Sequence, residues 1–166
     1  MTDPIASRIA QIFNEAFLES HHTLMSGGGA EPLYEAAAGS TRARIVFTRD
    51  YPASALHEAA HWCLAGLVRR RQRDYGYWYI PGPRDPQQRR AFFAAEAEVQ
   101  ALEAIFAHAC GVRFVSSADD FAATPAEIDS FGRVVSELIA VRRSRLRSRA
   151  RRFLDALVLA FEHERG

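Results

Sequence analysis

The decapeptide SALHEAAHWC, from Ser54 to Cys63, constrains this chain more than any other stretch. No Gly or Pro interrupts Ala53 to Ala65, and Pro52 suits a first helical turn, where its missing N–H is no loss. In a helix, His57 and His61 lie one turn apart on one face, close enough for both imidazoles to reach a single ion. Glu58 sits about 100° around the axis, beside such an ion. This is the H-E-x-x-H pattern of two metal ligands and a general base. Three specified positions also occur in helices that hold no metal, so the helical context has to support the reading. Leu56, Ala60, Cys63 and Leu67 supply an apolar stripe at spacings of four and three. Arg69, Arg70 and Arg71 then read as a solvated cationic last turn of the same helix.

A chain of 166 residues is long enough for one domain with a substantial core, so residues 1–166 are expected to form a single domain. With 48% hydrophobic residues, 25% charged residues and a formal net charge of +1, the composition announces neither nucleic acid nor membrane. No apolar run approaches the ~20 residues that span a bilayer. The segment MTDPIASR lacks a signal-peptide core, so the expected location is the cytoplasm. Cys63 and Cys110 have no CxxC spacing and read as small buried residues.

Helices are expected from about Pro4 to Glu19, from Pro86 to near Gly111, from Pro125 to Arg142 and from Leu146 to Glu164. Asp85, Pro86 and Gln88 have the spacing of a cap, first turn and capping box, and Gly111 suits the position after a helix end. SGGGAEP reads as a break, Arg44 to Thr48 as a short strand, and Tyr75 to Tyr79 as aromatic and strand-prone before the turn segment PGPRDP. The expected fold class is therefore α+β, mainly helical with a small sheet. Between Arg142 and Arg152 stand seven arginines and no acid. They read either as a solvated helix start or as a docking surface for an acidic partner. Without interleaved aromatics, direct nucleic-acid readout is not expected.

An open metal site needs a third protein ligand beyond the two histidines. The helix from Pro86 to Cys110 is apolar almost all round yet carries Glu96, Glu98 and Glu103. Buried carboxylates are costly unless paired or metal-bound. Glu96 and Glu103 share one stripe, and Glu98 points about 200° from Glu96. Periodicity leaves the choice between these faces open, and either set could pair with the arginines instead. With Fe(II), a two-histidine, one-carboxylate centre admits O₂. With zinc, the same donors activate water for peptide hydrolysis with Glu58 as base. A third possibility is a nonenzymatic metal-binding interaction module.

Several segments together resemble the elongation factor P hydroxylase family. They are GGGAEPLY at Gly27–Tyr34, RIVF at Arg44–Phe47, SALHEAAHWC, DYGYWYIPGPRD at Asp74–Asp85 and QALEAIF at Gln100–Phe106. The resemblance implies that His57, His61 and Glu96, four residues before the QALE segment, bind Fe(II). It implies an O₂-dependent hydroxylase acting on the β-lysylated lysine of elongation factor P. Glu58 would then orient ligands or move a proton. The expected α+β domain is distantly zincin-like around the motif helix. Tyr77 and Trp78, with Tyr75 and Tyr79, are candidates to flank the modified lysine, and Gln100 and Glu103 are further candidates for substrate contact. Two segments depart from the family pattern. PGPRD stands where members carry Pro-Asp-Gly-Arg-Asp, and AEAEVQ where they carry Val-Glu-Val-Lys-Pro-Gln. Both departures leave the three metal positions intact and bear on the shape of the substrate pocket.

Overall fold

Capping chemistry opens most of the helices. Asp3 accepts the Ile5 N–H ahead of α1 (Pro4–His21), and Pro52 occupies the first turn of α2 (Pro52–Leu64). Asp85 and Gln88 close a full capping box on α3 (Pro86–Cys110), and Thr124 and Glu127 do the same for α4 (Pro125–Arg143). α5 spans Ser148–His163. α3 ends on Gly111 at φ 70°, a left-handed position that glycine takes without steric cost. These bounds come from a computed structural model, which describes residues 3–76, 84–118 and 123–163.

The sheet is small and mixed. β3 (Ala43–Thr48) lies in the middle, parallel to β1 (Thr23–Gly29) and antiparallel to β2 (Leu33–Glu35). β1 corrects the expectation of a simple break after α1. At Gly27 and Gly29 the backbone runs too close to its neighbours for a side chain: a Cβ on Gly27 would lie 2.6 Å from the Arg49 carbonyl and 2.8 Å from the Phe47 ring, whereas Gly28 has open space and a φ of 95°. β2 carries no period-2 signal long enough to read, since it has only three residues.

Two further expectations are corrected. α2 stops at Leu64, because Ala65 turns extended at ψ 123°. Arg69–Arg71 form a separate 3₁₀ turn, and Leu67, expected on the apolar stripe, is 59% exposed. The aromatic segment from Tyr75 does not start as a strand. Tyr75 belongs to a tight turn, Arg73–Gly76, in which Asp74 and Tyr75 both have left-handed backbone angles. Tyr77, Trp78 and Tyr79 lie outside the described residues.

The main core joins α1, the sheet, α2, α3 and α5. Its centre is aromatic: Phe13, Phe17 and Trp62 meet with ring centroids 4.7–5.1 Å apart, and Phe153 from α5 closes on Phe13 and Phe106. The sequence stripe Leu146, Ala150, Phe153, Leu157 and Phe161 is buried from Ala150 onward, and Leu146 packs partly buried against the same core. A second cluster, Ala97, Ala118, Phe131 and Val135, fastens α4 to the other side of α3. α3 is therefore covered on opposite faces, which is why its sequence is apolar nearly all round. Among the described residues no helix is long and apolar enough to cross a membrane.

Candidate metal centre

α2 presents His57 and His61 one turn apart, as the four-residue spacing requires. α3 packs against that face and brings Glu96 up to both. The His57 and His61 Nε2 atoms are 3.1 Å apart. Glu96 Oε1 lies 3.5 Å from His57 Nε2, and its Oε2 lies 3.9 Å from His61 Nε2. Neighbouring donors about 2.1 Å from one ion stand about 3 Å apart, so the three side chains need little movement to share one. One donor atom from each lies within 4.8 Å of the others, making His57, His61 and Glu96 a group that could hold a metal ion. Two imidazoles and one carboxylate are a suitable donor set for iron or zinc.

The residues behind these donors set their orientation. Glu103, two turns after Glu96, is buried, and its Oε2 lies 2.8 Å from His57 Nδ1. A carboxylate there holds the proton on Nδ1 and leaves Nε2 facing Glu96 and His61. Gln100 is 2% exposed and donates from Nε2 to Glu96 Oε1 at 3.1 Å and to the Ser117 carbonyl at 2.6 Å. Its own amide oxygen accepts the Ser117 N–H at 2.9 Å. The amide is thereby fixed against the backbone and aims one N–H at Glu96. Neither Gln100 nor Glu103 lines the open cleft beside the site. Glu98 faces the opposite way and forms a two-pronged pair with Arg142 from α4.

Burial and crowding shift the titrations strongly. Burial pulls His57 down, but the Glu103 hydrogen bond and the charges of Glu96, Glu103 and Glu58 outweigh it and raise its pKa to about 9. His61 is lowered to about 3 by burial and by its charged neighbour His57. Glu58 is raised to about 7, chiefly by burial, against the pull of His57 and with Glu96, Asp74 and Glu103 adding to the rise. Glu58 is 7% exposed and lines the cleft together with His61 and Glu96.

That cleft has a volume of about 610 Å³. Tyr75 forms one wall, its ring stacked 4.2 Å from Tyr34 and 6.0 Å from His61. Phe92 lies on another, with the Arg84 guanidinium 3.9 Å above its ring. Two bonds anchor the left-handed backbone of Asp74 and Tyr75, one long-range and one local: Asp74 Oδ1 accepts the Tyr34 N–H at 2.9 Å, and Arg69 donates to the Tyr75 carbonyl at 3.2 Å. Such strain persists only where surrounding contacts over-determine it. Neither Phe92 nor the Asp74 anchor was readable as part of a site. Phe92 shares a helical stripe with Glu96, which is the one local signal that could have suggested it.

The fold and the site together define a class: a mainly helical protein with a small sheet and a candidate two-histidine, one-carboxylate metal centre between two helices. The family described as Elongation factor P hydroxylase matches residues 12–165. The chain is also 39% identical over 158 residues to the Elongation factor P lysine hydroxylase of Haemophilus influenzae, covering 94% of this chain and 89% of that relative. This protein belongs to the elongation factor P hydroxylase family.

Proposed function

We propose that this protein is an iron-dependent monooxygenase that hydroxylates the β-lysylated lysine of translation elongation factor P in the cytoplasm. The observation that carries the reading is the convergence of His57, His61 and Glu96 on one point in a chain of this family. Family membership favours hydroxylation over the peptide hydrolysis or metal-dependent docking that the motif alone allows. In this reading the motif helix packed beside a small sheet is distantly zincin-like.

In this reading His57, His61 and Glu96 hold the metal. Bound Fe(II) would supply redox chemistry by which O₂ and two electrons from an external reductant hydroxylate an unactivated C–H bond, the second oxygen atom leaving as water. Glu103 fixes the His57 ring through Nδ1, and Gln100 fixes the Glu96 carboxylate. Glu58, with its carboxyl poised near pH 7 inside the cleft, holds or moves a proton beside the reacting carbon. Tyr75 and Phe92 flank the aliphatic stem of the substrate side chain and keep water from it. Tyr77 and Trp78 remain candidates for the same contact.

The test is intact-mass measurement of elongation factor P carrying β-lysyl-lysine after incubation with the protein, Fe(II), a reductant and O₂. A gain of one oxygen on the modified lysine is expected, with little on the factor bearing a bare lysine. Zinc-loaded protein and His57→Ala should both be inactive, because zinc does not change oxidation state and the variant lacks a ligand. No mass gain with verified iron loading would overturn the reading.

A further inference from the structure

A second cleft, of about 300 Å³, opens between the C-terminal end of α2, the middle of α3 and the turn joining α4 to α5. Its walls include Leu64, Leu102 and Leu146, while Arg69, Arg142, Arg145 and Arg147 also line it. Among the described lining residues Glu98 is the one carboxylate, and both its oxygens are taken by Arg142. Arg69 is engaged with the Tyr75 carbonyl. Arg145 and Arg147 have exposed side chains with no hydrogen-bonded carboxylate among the described residues. The cleft therefore combines an apolar interior with an excess of cations. Low-dielectric walls focus such a field and draw in anions. His61, Arg69, Tyr75, Ala95 and Val99 line this cleft and the metal-side cleft alike, so its interior abuts a metal ligand.

We propose that this cleft is a binding site for a small organic acid, with the carboxylate held by Arg145 and Arg147 and the apolar body against Leu64, Leu102 and Leu146. The planar guanidinium fork matches a carboxylate, and the volume stands at the lower end of small-molecule sites. An oxyanion alone would satisfy the arginines but would leave the leucine walls unfilled, so an acid with a short hydrocarbon body fits better than inorganic phosphate. The site stands on its own charge and shape and does not require the hydroxylase reading.

Calorimetric titration of the metal-loaded protein tests this without turnover, so its failure is separate from failure of the proposed activity. The probe is 4-methylpentanoate, with inorganic phosphate at matched ionic strength for comparison. Saturable binding of the carboxylate is expected, at least tenfold tighter than phosphate. The double variant Arg145→Gln, Arg147→Gln should weaken it at least tenfold while metal content and thermal midpoint stay the same. Glu98→Gln should strengthen it several-fold, because it removes the competing acid and releases Arg142. Absence of saturable binding, equal binding of phosphate, or an unchanged affinity in the double variant would overturn the proposal.

Discussion

His57 stands between two partners, with Glu103 2.8 Å from Nδ1 and His61 3.1 Å from Nε2. With its pKa raised to about 9 and that of His61 lowered to about 3, the metal-free pair carries its proton on His57 across most of the working pH range. An ion binding at Nε2 has to displace that proton. The sign follows: below pH 9 uptake of Zn²⁺ or Fe²⁺ releases about one proton per site, and affinity rises with pH until about 9, then levels off. Calorimetry in buffers of different ionisation enthalpy reads this directly, and proton-neutral uptake at pH 7.5 would contradict it. Substitutions separate the candidate ligands from their supports. His57→Ala, His61→Ala or Glu96→Ala should each remove most bound metal in elemental analysis, whereas Glu98→Ala should retain it. Glu103→Ala should weaken affinity by about 10–100-fold, the usual effect of losing a carboxylate behind a ligating histidine. The histidines were legible in the sequence from spacing alone, whereas the choice of Glu96 over Glu98 rests on the family resemblance and not on periodicity. α3 is covered by α2 on one side and α4 on the other, so by periodicity Glu96 and Glu98 both read as misplaced acids; packing brings Glu96 to the histidines and Glu98 to Arg142.

Among the elements, the C-cap of α2 at Ala65 is held by a residue 84 positions away from it. The Arg149 guanidinium on α5 donates to the Trp62 carbonyl at 2.9 Å and the Ala65 carbonyl at 2.6 Å, and lies 4.7 Å over the Trp62 ring. These carbonyls at the helix end have no helical partner of their own. A sequence reading that groups Arg149 with a solvated or docking cluster therefore misplaces it: Arg149 is a tertiary cap. Arg149→Ala should cost about 2 kcal/mol, since it leaves carbonyl groups unsatisfied and removes a charged donor. For a domain of this size that lowers the thermal midpoint by about 4–8 °C. Arg145→Ala, exposed in the same run, should change it little, and equal effects of the two would contradict the capping role. The local rules worked where the signal was local. The capping box at Asp85 and Gln88 and the glycine after Cys110 gave α3 its observed bounds. They failed at β1, where Gly27 answers to the neighbouring Arg49 carbonyl and Phe47 ring rather than to any pattern along the chain.

At the scale of the whole molecule, the candidate centre joins α2 to α3 at a point where the core is unusually polar. Glu58, Glu96, Gln100 and Glu103 are all buried there, among helices otherwise lined by alanine and large apolar side chains. Buried carboxylates near one another raise the energy of the metal-free fold unless a cation offsets them. A bound divalent ion would then act as a cross-link between the two helices, and its binding free energy would add to folding stability. At a free concentration about a thousand times Kd that contribution is about 4 kcal/mol. With about 2–4 °C per kcal/mol for a chain of this length, the thermal midpoint should rise by about 8–16 °C on metal loading. Chelation should reverse the rise, and His61→Ala should lose the metal-dependent shift while keeping a cooperative transition. Differential scanning calorimetry of the loaded, chelated and variant proteins distinguishes this from binding at the periphery. If metal is verifiably gained and lost while the midpoint stays fixed, the ion does not bridge α2 and α3, and the assignment of Glu96 as the third ligand falls with it.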